Sequence, residues 1–132
     1  MLRKIEGGSS ALKNPSKEFA SAKKEDPLLI VAATIKERRI KPDPSSYTSK
    51  LVRDAGKITS KINEECGELI EAGELLNRGK TRDNVIWEAA DLIYFVLVYL
   101  ENKGIEVTEV LDELKRRRTT EKKGQRYPPI SD

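Results

Sequence analysis

The 132-residue sequence contains no histidine and only one cysteine, and both scarcities narrow the chemistry that the protein can perform. Without histidine, Ser-His and Cys-His catalysis and every imidazole metal site are excluded. One cysteine cannot form a disulfide framework or a thiolate zinc site, and it suits a reducing compartment. Any active site must therefore use carboxylates, amines, hydroxyls or a metal ion that these groups hold.

The sequence also lacks a strong charge of one sign and any long apolar run. Its 25 basic and 22 acidic residues give a net charge of +3, which is too weak to indicate nucleic acid as a partner. The longest apolar run, residues 85–100, includes Glu88 and Asp91 and is too short to cross a bilayer. Residues 1–8 have no apolar core like that of a signal peptide. We therefore expect a cytoplasmic protein that binds neither membranes nor nucleic acid.

The spacing of apolar residues predicts an all-α protein, an antiparallel bundle of about four helices. No stretch shows the alternation typical of strands. The predicted helices, the second with a break near residues 54–56, cover residues 27–39, 47–77, 82–103 and 107–118. The expected organisation is a flexible polar leader, a single domain and a flexible tail, at residues 1–26, 27–118 and 119–132.

The segment 85–100 is apolar around its whole circumference apart from its two acids. Such a helix must be covered on all sides. Three other helices of this size can hardly cover it alone, so we expect a homodimer with this helix near its centre. The alternative is a central helix within a monomeric bundle.

Two pairs of carboxylates occupy positions where apolar side chains would be expected. At about 100° per residue, Glu65 falls within the apolar stripe of its helix and Glu68 at its edge. Glu88 and Asp91 lie three residues apart in the apolar segment of the next helix. Because a short connection through Gly79 makes the two helices antiparallel neighbours, we expect the four carboxylates to converge.

Converging buried carboxylates repel one another and are costly unless a positive charge lies among them. Between Glu64 and Glu74 there are five acidic and no basic residues, so we expect the helix to supply no local partner. A divalent cation with oxygen ligands meets this need, with Mg²⁺ as the first choice and Mn²⁺ as the second. The alternative is a solvated acidic face, which applies most readily to Glu64, Glu71 and Glu74.

A carboxylate-held metal would activate a bound water and screen the oxygens of an anionic substrate, which fits hydrolysis of a phosphoanhydride. Such a substrate also requires nearby cations. The candidates near the start of the acidic helix are Lys50, Arg53, Lys57 and Lys61. For each of them taken singly, ordinary solubility is the alternative explanation.

Three segments are similar to one known family. They are Ser-Tyr-Thr-x-Lys-Leu at 46–51, Lys-Ile-x-x-Lys-Ile-x-Glu-Glu-x-x-Glu at 57–68 and Trp-Glu-Ala-Ala-Asp-Leu-Ile-Tyr at 87–94. Over about residues 28–118 the chain resembles the phosphoribosyl-ATP pyrophosphohydrolases of histidine biosynthesis, a branch of the MazG-like all-α nucleotide pyrophosphohydrolases. The acidic pairs alone would indicate only the wider group, and the first segment supports the narrower one.

This resemblance implies Mg²⁺-dependent hydrolysis of 1-(5-phosphoribosyl)-ATP to 1-(5-phosphoribosyl)-AMP and pyrophosphate by a homodimeric helical bundle. It implies that the metal ligands are Glu65, Glu68, Glu88 and Asp91. It makes Glu64 and Glu65 the candidate catalytic residues, with Glu64 as a further ligand or a base that orients water. Lys50, Lys57 and Lys61 would contact phosphates. The chain departs from the pattern at Phe95, where many bacterial members have histidine, and at Asn63, where they have glycine.

Two other functions remain compatible with these residues. A hydrolase that removes free nucleoside triphosphates or deoxynucleoside triphosphates would share the metal site but would not need a pocket for the second ribose phosphate. A non-enzymatic helical dimerisation module would bind no ion at all.

Overall fold

The structure, a computed structural model, describes residues 26–119. The predicted leader at residues 1–26 and the predicted tail at residues 119–132 fall, except for their inner ends, outside these described residues. The described part contains five helices and no strand: α1 (Pro27–Ile40), α2 (Tyr47–Leu51), α3 (Ala55–Asn77), α4 (Arg82–Asn102) and α5 (Val107–Thr119). The all-α prediction is confirmed. The expected break near residues 54–56 is confirmed, and it makes α2 a separate helix.

The ends of the helices are set by local side-chain and glycine signals. Asp26, Asp54 and Thr81 each accept a hydrogen bond from a backbone N–H in the first turn of α1, α3 and α4. Gly79 and Gly104 follow α3 and α4 with φ of 91° and 75°, a conformation that a side chain would strain. Because these signals start and end the helices at defined residues, the connections between successive helices are short.

The antiparallel pair α3 and α4 forms the centre of the fold and has the most extensive helix–helix packing. Helix α1 packs on α4 and α2, while α5 packs against α1 and α4. The core is a single cluster that draws on α1, the α2 region, α3 and α4. Its members include Ile35, Leu51, Val52, Ile58, Phe95 and Val98.

Within residues 26–119, helix α4 is covered on one side only. Its residues Tyr94, Phe95, Leu97 and Val98 are buried. Ile86, Ile93 and Val96 on the other side are 54%, 50% and 39% exposed, and Trp87 and Tyr99, toward the two ends of the helix, are 45% and 36% exposed. The complete covering that the sequence predicts is therefore not provided by residues 26–119 of one chain. None of the described helices combines the length and apolar character of a membrane span.

Candidate active site

Three carboxylates are buried where α3 and α4 pack against each other. Glu65 on α3 is 0% exposed, and Asp91 and Glu88 on α4 are 3% and 8% exposed. One oxygen atom from each of the three side chains lies within 4.8 Å of the others. The antiparallel pairing of the two helices thus brings together acids from both predicted pairs.

A second group of acids shares Glu65 with the first. Oxygen atoms of Glu64, Glu65 and Glu68 also lie within 4.8 Å of one another, although Glu64 is exposed and Glu68 is half-buried. We call the whole set the acidic cluster, which consists of Glu64, Glu65, Glu68, Glu88 and Asp91. Glu71 and Glu74, further along α3, are exposed.

Glu65 is the most strongly perturbed member of the acidic cluster. Both of its carboxylate oxygens are buried and have no hydrogen-bond partner among the described residues. Burial raises the pKa of Glu65 to about 7, and the nearby carboxyl of Glu88 and the charges of Glu68 and Asp91 act in the same direction. Burial, followed by the proximity of Glu88, also raises the pKa of Glu68. The cluster therefore holds more negative charge than its surroundings balance, and a cation fits this arrangement.

One of the predicted cations, Lys61, contacts the acidic cluster through Glu64. Its Nζ atom lies 3.4 Å from Glu64 Oε1 and 5.7 Å from the centroid of the Phe95 ring. Burial lowers the pKa of Lys61, but the hydrogen bond to Glu64 and the charge of that carboxylate outweigh burial and raise it. The expectation that α3 supplies no local partner is wrong for Glu64, because Lys61 reaches it from the preceding turn.

The other three predicted cations have different surroundings. Lys50, Arg53 and Lys57 are exposed. Arg53 Nη2 donates to the carbonyl oxygen of Arg39 at 3.0 Å, which ties this side chain to the end of α1. Lys50 lies on α2 and Lys57 in the first turn of α3. Of the four predicted cations, only Lys61 contacts the acidic cluster within residues 26–119.

Buried hydroxyl groups attach the Ser-Tyr-Thr segment to its neighbours. Ser49 Oγ donates to the carbonyl oxygen of Arg38 at 2.9 Å, and Ser46 Oγ accepts from the backbone N–H of Ser49 at 3.0 Å. Thr48 Oγ1 pairs with the hydroxyl of Tyr94 at 2.5 Å. Because Tyr94 lies one turn beyond Asp91, this pair joins α2 to the helix that carries two of the buried acids. Sequence reasoning missed it because the partners are distant in the chain.

A cavity of about 270 Å³ opens between α3 and α4 beside the acidic cluster. It is lined by Glu68, Glu71, Ala72, Leu75, Asn84 and Glu88. Sequence reasoning did not select Ala72, Leu75 or Asn84 as site residues. The available signal was their spacing, because Asn84 lies four residues before Glu88 and therefore on the same face of α4.

Comparison with known proteins identifies the family. The profile of the phosphoribosyl-ATP pyrophosphohydrolase family matches residues 28–118, which extend from α1 into α5. The chain belongs to this family. The resemblance predicted over the same residues is thereby confirmed.

Individual relatives agree with the family match. The chain is 40% identical over 93 residues to the phosphoribosyl-ATP pyrophosphatase of Methanobrevibacter smithii, covering 67% of this chain and 90% of that one. It is 41% identical over 97 residues to the enzyme of the same name from Methanopyrus kandleri, covering 69% and 93%. The corresponding protein of Dechloromonas aromatica is 41% identical over 88 residues, covering 66% and 78%. No solved structure gives a significant match.

Proposed function

We propose that the protein is a cytoplasmic phosphoribosyl-ATP pyrophosphohydrolase that catalyses the second step of histidine biosynthesis. It hydrolyses 1-(5-phosphoribosyl)-ATP to 1-(5-phosphoribosyl)-AMP and pyrophosphate. The observation that carries this proposal is the convergence of buried Glu65, Glu88 and Asp91 in a chain of this family. Carboxylates held together in this way suit a reaction in which charge neutralisation and positioning dominate.

Magnesium, with manganese as the second choice, is the proposed cofactor, and Glu65, Glu68, Glu88 and Asp91 are its proposed ligands. The support is the donor set, which contains only oxygen, and the buried oxygens of Glu65 that have no hydrogen-bond partner among the described residues. The bound ion would supply positive charge for the phosphate oxygens and lower the pKa of a water molecule.

The remaining roles belong to groups around the ligands. Glu64 is exposed at the edge of the acidic cluster, where its carboxylate can accept a hydrogen bond from an attacking water and hold it in line. Lys61 Nζ, next to Glu64, provides a donor for a phosphate oxygen of the substrate. Lys50 and Lys57 are proposed as further phosphate contacts, and both are exposed.

The protein acts as a homodimer in this proposal, and the two copies meet through the uncovered side of α4. Ile86, Ile93 and Val96 are 54%, 50% and 39% exposed on that side. A continuous set of exposed apolar side chains on a central helix is typical of a protein–protein contact. A second copy can cover the same side in both chains, since a two-fold dimer uses one patch twice.

An assay of pyrophosphate release tests the function directly. Purified protein with Mg²⁺ should turn over 1-(5-phosphoribosyl)-ATP faster than any free deoxynucleoside triphosphate. Glu88→Gln should lower kcat by at least about a hundredfold, a typical loss when a group that stabilises transition-state charge is removed. Glu74→Gln, which changes an exposed acid on α3, is the matched control and should keep full activity. Faster hydrolysis of deoxynucleoside triphosphates would contradict the proposal.

A further inference from the structure

The surroundings of the acidic cluster differ between its two ends along α3. Toward the N-terminus of α3, Lys61 contacts Glu64, and Lys57 lies one turn earlier. Toward the C-terminus, the cavity of about 270 Å³ has Ala72 and Leu75 in its wall. One end is therefore cationic, while the other combines apolar surface with acids.

The acidic and apolar end does not suit phosphate groups. The lining of the cavity includes three glutamates and no lysine or arginine. Glu68 and Glu88 are proposed ligands of the cation, whereas Glu71 is not, and a carboxylate without a bound cation repels phosphate oxygens. The part of the substrate that lies beside Glu71, Ala72 and Leu75 must therefore be apolar, neutral or positively charged.

The cavity adjoins the acidic cluster, whose buried carboxylates require a cation. Glu68 and Glu88 form part of its wall and also belong to the acidic cluster. Oxygen atoms of Glu65 lie within 4.8 Å of oxygen atoms of Glu68 and of Glu88. Glu65 is 0% exposed, and its oxygens have no hydrogen-bond partner among the described residues. From Glu68 to Leu75 the helix rises about 10 Å, which is enough for a purine ring and its ribose.

We propose that this cavity binds the N1-substituted adenine ring of the substrate, with the triphosphate running along α3 toward Lys61. The inference rests on the proposed function, because it assigns the two ends of 1-(5-phosphoribosyl)-ATP to the two ends of the site. The apolar ring edge packs against Ala72 and Leu75. The side-chain amide of Asn84 can donate to and accept from the ring, as amides commonly do with adenine.

Glu71 supplies selectivity for this particular base. In 1-(5-phosphoribosyl)-ATP a second ribose is attached at N1, so the neutral ring carries an imine at C6 and its N1–C6–N6 amidine is more basic than that of adenine. This amidine takes up a proton more readily than adenine does, and a neighbouring carboxylate favours its charged form. Glu71 lines the cavity and is not among the proposed metal ligands, so its charge remains available to the ring.

Binding of small product-like probes tests the assignment. The probes are 1-methyladenosine 5′-monophosphate, which has a substituted N1, adenosine 5′-monophosphate and pyrophosphate, each titrated calorimetrically into the Mg²⁺-loaded protein. The methylated nucleotide should bind more tightly than its parent. Glu71→Gln and Asn84→Ala should each weaken its binding roughly three- to tenfold and leave the affinity for pyrophosphate unchanged. Lys61→Met should weaken pyrophosphate binding.

The matched control is Glu74→Gln, which removes an exposed acid from the same helix but outside the cavity lining. It should change none of the three affinities. Equal affinity for the two nucleotides, or unchanged affinity in both cavity variants, would overturn the inference. Because these titrations do not depend on turnover, they are distinct from the pyrophosphate-release assay, whose failure would instead overturn the proposed function.

Discussion

At the scale of single residues, Glu65 determines how the site behaves without a ligand. The helical spacing predicted that Glu65 falls within the apolar stripe of α3, and the side chain is buried there. The contact of Lys61 with the Phe95 ring could not be predicted in this way, because it joins residues on different helices. Periodicity along one helix gives the direction of a side chain but not its neighbour.

The pH dependence of stability in the metal-free protein should follow the two acids whose pKa values are raised, Glu68 and above all Glu65. The pKa of Glu65 rises from an ordinary 4.5 to about 7, so folding takes up a proton between these values. The free energy of unfolding should therefore fall as pH increases from about 4.5 to about 7 and then level off. The part of this loss that comes from Glu65 should be about 3 kcal/mol. Urea unfolding in EDTA across this range measures it.

Glu65→Gln removes the main titrating group and serves as the comparison in that experiment. The variant should resemble the wild type in stability near pH 4.5 and exceed it near pH 8. If the variant shows the same decline with pH as the wild type, another group is responsible and the role assigned to Glu65 burial is wrong.

Magnesium should stabilise the folded protein through the same residue. A ligand that binds only the folded state raises the free energy of unfolding by about 2.7 kcal/mol at a hundred times its dissociation constant. Thermal unfolding of the wild type at pH 8 should therefore shift upward as Mg²⁺ is added. The shift should disappear in Glu65→Gln and persist in Glu74→Gln. An equal shift in all three proteins would show that Mg²⁺ acts elsewhere.

At the scale of secondary-structure elements, α2 depends on its surroundings. A helix of five residues is too short to be stable alone. The break that separates it from α3 could be predicted from Asp54, Ala55 and Gly56. Its anchoring could not, because Thr48 bonds to Tyr94, a residue 46 positions away in the sequence. The Ser-Tyr-Thr motif therefore has a structural explanation that only the packed bundle reveals.

Removal of the Thr48 hydroxyl should loosen α2. Thr48→Val and Tyr94→Phe should each lower the free energy of unfolding by about 0.5–1.5 kcal/mol, the usual net contribution of one hydrogen bond. The double variant should lose less than the sum of the two, and Thr48→Ser should retain most of the stability. Urea unfolding provides these values. Strictly additive losses would show that the two hydroxyls do not interact.

Thr59→Val provides a matched control for the same substitution. Thr59 is exposed, and within the described part of the chain its hydroxyl bonds only to its own helix, donating to the carbonyl oxygen of Ala55 at 3.0 Å. Its removal should therefore change stability by no more than about 0.5 kcal/mol.

At the scale of the whole molecule, residues 26–119 of one chain do not form a complete bundle. The sequence predicted that the segment 85–100 needs cover on all sides, and residues 26–119 cover only one side of α4. The predicted break near residues 54–56 separates α2 from α3. Hydrophobic patterning indicates how much surface must be buried, but it does not identify the partner that buries it.

A charge placed on the uncovered side of α4 should separate the proposed dimer. Ile93→Glu is expected to shift the protein from dimer to monomer in sedimentation velocity experiments. Ile40→Glu is the matched control, because Ile40 is 57% exposed but belongs to α1. It should leave the dimer intact. A wild type that sediments as a monomer at all concentrations would contradict the proposal.

The short connection between α3 and α4 also bears on how the site forms. All members of the acidic cluster lie on one helical hairpin, closed by residues 78–81. Closing a short loop costs little chain entropy, and contacts that are local in sequence form rapidly. We therefore expect the acids to meet early during refolding, before α1 and α5 dock, so that a divalent ion can act on the folding rate as well as on the finished protein.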